Sequence, residues 1–199
     1  MRIAPWLVAA VFSFAIWRLY SHRDLDPGPG IVAAAAPQQR LIDGQAALER
    51  GDFRLRPRAE FEATVRILRR EHYSLDRISR LAPTDFAVGW GPMSDGRVLA
   101  DIEISQGNRF YFWRTENWPI DRRGIESNSA NWHVIPENEA VASALDRLRA
   151  GSIVQFSGRL VDIEGNDGGM RTSLSRTDTG AGACEILLAS SARVLKKSH

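Results

Sequence analysis

The strongest pattern along the chain begins at Phe61. Phe61, Ala63, Val65 and Ile67 alternate with Glu60, Glu62, Thr64 and Arg66, the period-two signature of a strand with one buried face. Ala100, Ile102 and Ile104 alternate in the same way with Asp101, Glu103 and Ser105. A Gln106-Gly107-Asn108 turn then leads into Phe110 to Trp113, which predicts a β-hairpin. Beyond Gly151, Val154, Phe156 and Leu160 share a face, with Gly158 where a coiled strand would bend. Val161 and Ile163 fall out of phase with Leu160, as a β-bulge in that strand would produce. The run Gly165-Asn166-Asp167-Gly168-Gly169 tolerates positive φ and reads as a turn. Met170, Thr172 and Leu174 return from it, and Ile186, Leu188 and Val194 close the chain.

Helical spacing is rarer. Pro136-Glu137-Asn138-Glu139 suits a first turn, Val141, Ala144, Leu145 and Leu148 fall on one face, and Arg147 and Arg149 precede Gly151. Residues 41–50 predict a short helix ending at Gly51. These elements predict an α+β domain, a curved or closed antiparallel β-sheet with one main helix. An OB-like barrel is the specific candidate, and an open sheet under one helix is the alternative.

Composition modifies this picture at the N-terminus. Ile3 to Trp17 is an uncharged, mostly apolar run flanked by Arg2 and Arg18. It would span roughly 22 Å as a helix, and roughly 27 Å if extended to Tyr20. The bulky, charged sequence after it lacks a cleavage site, so the pattern predicts a retained transmembrane signal anchor over residues 1–20. Residues 21–40, rich in Pro, Gly and Ala, predict a tether, and residues 41–199 a single globular domain. The short N-terminal tail places that domain on the periplasmic side of a bacterial inner membrane.

A net charge of +2, from 26 basic and 24 acidic residues, is too small to mark a nucleic-acid binder. The arginines between Arg54 and Arg80 interleave with Glu60, Glu62, Glu71 and Asp76, which favours cross-strand pairing over a phosphate track, so nucleic acid is not the expected partner. A single cysteine excludes an intramolecular disulfide framework and a Cys-rich zinc site.

Several motifs invite chemistry. Asp178-Thr179-Gly180-Ala181 spells an aspartic protease signature, but only 19 residues follow Gly180 and no second aspartate of the kind is supplied. Gly180-Ala181-Gly182-Ala183 lacks the Lys-Ser/Thr of a phosphate loop. Asp162, Glu164, Asn166 and Asp167 lack the terminal glutamate of a calcium loop. The four histidines show no paired metal spacing, and neither a metal nor a cofactor is predicted. Cys184 with His133 is the one combination that offers a nucleophile beside a base. A small buried hydrophobe at the start of a strand is the simpler reading of Cys184.

Aromatic residues are the more informative excess. Trp90, Phe110, Tyr111, Phe112, Trp113, Trp118 and Trp132 fall within 43 residues. With Phe110 and Phe112 pointing inward, Tyr111 and Trp113 would point outward. Trp113, Trp118, Tyr111, Trp132 and Trp90 are then candidate binding residues for a protein or small-ligand partner.

Three segments carry a resemblance. Pro83 to Asp95, which contains Gly89-Trp90-Gly91-Pro92-Met93-Ser94-Asp95, Ser129 to Pro136, and Ser173 to Glu185 together resemble a family of uncharacterised bacterial proteins with a single N-terminal membrane span. The resemblance implies architecture and no mechanism. Asn128 stands where a histidine would be expected before Ser129, against any scheme with two histidines in that loop. The reading that joins these features is a membrane-tethered, non-enzymatic binding or assembly module. A cysteine-dependent enzyme using Cys184 and His133 is the first alternative, and an OB-type nucleic-acid binder on the cytoplasmic face the second.

Overall fold

The computed structural model describes residues 24–26, 28–165, 168–175, 178, 180 and 182–196. In chain order the strands are β1 (Gln38–Leu41), β2 (Leu48–Arg50), β3 (Phe53–His72), β4 (Thr84–Gly89), β5 (Ile102–Gly107), β6 (Phe110–Thr115), β7 (Ser129–Pro136), β8 (Ile153–Gly165) and β9 (Glu185–Lys196). Three short helices accompany them, α1 (Gly96–Leu99), α2 (Arg122–Glu126) and α3 (Glu139–Asp146).

The long strand β3 organises the domain. Its charged residues Arg54, Arg56, Arg58, Glu60 and Glu62 are exposed while Phe53, Leu55, Ala59, Phe61, Ala63 and Val65 are buried. One edge of β3 pairs with β8 from Phe53 to Arg66. The other edge takes β2, β1 and then β4 in succession. The path β3-β4-β7-β9-β8 therefore returns to β3 and closes a ring of five strands. Phe61, Val65, Phe86, Val88, Trp132, Val134, Phe156 and Leu187 fill its interior, and Val141, Leu145 and Leu148 bring α3 onto the same cluster.

A register shift at Arg58 turns β3 over, so Phe53 and Leu55 leave the interior and join a second apolar cluster with Ile135, Val161, Ile163, Ile186 and Leu188. The bulge expected in β8 thus lies on β3, and Val161 and Ile163 are buried on the opposite face of β8. Gly158 sits where β9 comes closest: a Cβ there would lie 2.1 Å from the Leu188 carbonyl oxygen.

Several expectations are corrected. Strands account for 47% of the structure and helical segments for 15%, so the domain is mostly β and not α+β with one main helix. The sheet is not purely antiparallel, because β7 and β9 run parallel. No helix among the described residues is long and apolar enough to cross a membrane, and the span expected over residues 1–20 lies outside them. Residues 41–50 form no helix: Leu48 to Arg50 pair with Phe53 to Leu55 across a turn at Gly51. The helix expected from Pro136 begins at Glu139 with Asn138 as its cap, Pro136 remaining in β7.

Within the stretch expected as a tether, Leu25 N–H donates to the Ala150 carbonyl at 2.7 Å and the Ala33 carbonyl accepts from Gly91 N–H at 2.7 Å. Buried Ser94 Oγ accepts from Ala33 N–H at 3.1 Å, and Asp95 accepts from Gly30 N–H at 2.8 Å. These bonds hold Leu25, Gly30 and Ala33 against the domain. The β5–β6 hairpin and α2, inserted between β4 and β7, form a separate small layer. It packs through Met93, Ile102 and Ile125, with Trp113 at its margin.

Candidate functional site

The inserted hairpin turns at Asn108 and Arg109, whose φ angles are 52° and 69°, as a two-residue turn matching the strand twist requires. Positive φ is costly for arginine, and the side chain shows what holds it there. Arg109 Nη1 donates to Asp85 Oδ1 at 2.7 Å and to the Ala82 carbonyl at 2.9 Å. Its Nε and Nη2 donate to the two oxygens of Asp76 at 3.0 and 2.8 Å. The guanidinium lies 4.1 Å above the Tyr73 ring, and the Tyr73 hydroxyl accepts from Arg109 N–H. The hydrogen bonds from Arg109 hold the Asp76 carboxyl below its ordinary range.

Asp85 pairs directly with His133 in the β4–β7 register. Trp132 and Val134 point into the barrel, so Asn131 and His133 occupy the outer face of β7, beneath the hairpin. His133 Nδ1 is 3.0 Å from Asp85 Oδ2, with side-chain exposures of 1% and 0%. Burial disfavours the charged imidazole. Asp85 and the Cys184 thiol, both facing the ring, outweigh burial and push its pKa up to about 9.

Cys184 enters through the parallel register of β7 and β9, which pairs Trp132 with Glu185 and sets Cys184 beside Asn131. Asn131 Nδ2 donates to the Arg109 carbonyl at 3.1 Å and to Cys184 Sγ at 4.0 Å. Its Oδ1 accepts from Gln106 Nε2 at 2.7 Å, which fixes the orientation of the amide. The thiol itself donates to the Arg109 carbonyl at 3.9 Å.

A groove of about 670 Å³ opens above this floor. β6, Trp118 and α2 form one wall, and Ser175, Asp178, Gly180, Ala183, Cys184 and Glu185 line the other. Cys184 is half-buried and lines it. Four of the five predicted binding residues, Trp90, Tyr111, Trp113 and Trp118, also line it. Trp113 stands edge-on to Trp118 with ring centres 6.0 Å apart, and Trp118, with φ of 38°, remains 51% exposed. The Tyr111 hydroxyl bonds Ser129 Oγ at 2.9 Å, and burial pushes the phenol up.

Trp132 does not belong to the groove. It is fully buried in the barrel, edge-on to Phe61 and Phe156 at 5.3 and 5.6 Å. The orientation expected for β6 is also reversed: Phe110 and Phe112 are exposed, while Tyr111 and Trp113 turn toward the barrel. The inserted layer has its own packing side, which alternation alone does not identify.

The other motifs resolve into structural bonds. Asp178 accepts from Ser173 Oγ at 2.7 Å. Asp162 pairs with Arg58 and caps Thr172 N–H, and Glu164 makes a two-pronged pair with Arg56. Arg40 likewise pairs with Glu60. Arg66, expected on the outer face, is buried with Nη1 on the Ser94 carbonyl. Among the described residues no group of His, Cys, Asp and Glu is placed to hold a metal ion.

Sequence reasoning singled out Cys184 and His133 and missed Asp85, Arg109, Asn131 and Gln106. The one available signal for Asp85 was an acid immediately before the apolar run Phe86-Ala87-Val88. No protein-family model, curated protein or solved structure matches the chain.

Proposed function

We propose that the chain is a binding module whose groove takes a small amphipathic organic molecule. The observation that carries this is the 670 Å³ groove with aromatic walls and a polar floor. Its volume falls in the range of small-molecule sites, and apolar walls with a few convergent polar groups are the usual composition of such sites. An apolar body would lie against Trp113, Trp118 and Tyr111, while a carbonyl or similar polar end meets Asn131 and Cys184. Trp118 favours a ligand over simple core packing, since half of this large ring is solvent-exposed at a strained backbone position.

Anilinonaphthalene sulfonate, an aromatic probe with one polar end, tests the reading. It should bind the folded chain saturably, and Trp118→Ala should weaken binding about tenfold. Binding that does not saturate, or that ignores Trp118→Ala, contradicts the groove.

A further inference from the structure

We propose that Cys184 is a nucleophile that accepts an acyl group from an ester bound in the groove, with His133 as its proton partner. The inference rests on the groove reading and names the chemistry at its floor.

Four observations converge on it. The sulfur lines the cavity, so a bound carbonyl can reach it. The parallel register of β7 and β9 and the Asn131–Sγ contact set Cys184 on the face of β7 that carries His133, whose Nδ1 lies 3.0 Å from Asp85 Oδ2, so carboxylate, ring and thiol share one face in the order of an Asp–His–Cys arrangement. A purely structural tie between the hairpin and the barrel is already made by Arg109 with Asp76 and Asp85, and it requires no thiol at a cavity wall. Finally, Asn131 is held by Gln106 with one N–H on the Arg109 carbonyl and the other directed at Sγ. That second N–H is placed to donate to the oxygen of a carbonyl under attack at the sulfur.

The step balances with water as the only co-reactant. In the reacting form, the proton shared by the thiol and the ring rests on His133. Sγ attacks the carbonyl carbon and the C–S bond forms. The bond to the ester oxygen breaks, and His133 gives its proton to the departing oxygen. The neutral ring then takes a proton from water as the water oxygen attacks the thioester carbon. The C–S bond breaks, the carboxylic acid leaves, and the proton returns to the Cys184–His133 pair. An apolar acyl chain would occupy the aromatic walls, so the substrate class is a hydrophobic ester.

The test uses the full chain with para-nitrophenyl butyrate, followed by peptide mass mapping, beside the anilinonaphthalene sulfonate titration. The expected result is a butyryl group on Cys184, with nitrophenol released in step. Iodoacetamide should also label Cys184 about tenfold faster in the native chain than in urea. Cys184→Ser should abolish the adduct, and His133→Gln should slow acylation about a hundredfold. Because His133→Gln removes a buried charge, Asp85→Asn provides a second measure of the ring's surroundings. It should lower the midpoint of the His133 imidazole resonance titration and slow native labelling of Cys184. Saturable dye binding without acyl-Cys184, or labelling slower in the native chain than in urea, overturns the thiol step and leaves the groove standing. Absence of saturable dye binding contradicts the groove itself.

Discussion

Arg109 and Asp85 meet at 2.7 Å although they belong to different layers, one at the tip of the inserted hairpin and the other on the barrel strand β4. With Asp76 and His133 they form a cluster of two acids and two bases in which every charge has an opposite neighbour. The cluster fixes the hairpin against the outer face of the barrel. The groove exists because the hairpin is held there.

Removing the cation from this cluster should be costly. Arg109→Met leaves Asp85 fully buried with only His133 beside it, and breaking a buried pair in this way costs about 3–5 kcal/mol. Urea unfolding should show the loss, and the groove should lose affinity for the dye with it. A change below about 1 kcal/mol would mean that the hairpin is held by its apolar contacts alone.

Stability should depend on pH through His133. Its folded pKa of about 9 lies above its ordinary value of 6.5. The stabilisation is therefore fully present below about pH 6.5 and is lost as pH rises through about 9. Burial opposes this value, and Asp85 on β4 and Cys184 before β9 raise it; Arg109, itself balanced by Asp76, shares Asp85 with the ring. The loss should be on the order of 3 kcal/mol, read from unfolding midpoints across that window. His133→Gln should flatten the slope; a wild-type slope equal to that of the variant would contradict the assignment.

The two tryptophans that sequence reasoning grouped together should separate sharply. Trp132→Ala empties the centre of the barrel and should cost about 3–5 kcal/mol. Trp118→Ala removes a half-exposed ring and should cost about 1 kcal/mol or less. Equal costs in thermal unfolding would show that Trp118 is core.

Gly158→Ala should weaken the β8–β9 seam by about 1–3 kcal/mol, because its Cβ would meet the Leu188 carbonyl oxygen at 2.1 Å. Amide exchange should then accelerate along Leu187 to Ala189 before it does along β5 and β6. Uniform acceleration would point to global destabilisation instead.

The parts of the fold legible in the sequence are those with one wet face. β3 alternates along most of its length, and the β5–β6 hairpin declares its strands although its turn falls at Asn108-Arg109. β4 and β7 are buried along almost their whole length, so Thr84 to Gly89 and Ser129 to Pro136 show no alternation to read. That omission hid the site. Asp85 and Asn131 gain their roles only when β4 and β7 lie side by side, and Arg109 only when the hairpin folds back over them. Cys184 and His133 drew attention through residue type alone; the parallel pairing of β7 with β9, which brings them together, has no local signal.

The most direct measurement of the central claim is the response of the indole N–H resonances to anilinonaphthalene sulfonate. Saturable shifts are expected at Trp113 and Trp118, a smaller shift at Trp90 on the groove wall, and none at Trp132 inside the barrel. Shifts at Trp132 equal to those at Trp118, or no saturable shift at Trp113 and Trp118, would contradict it.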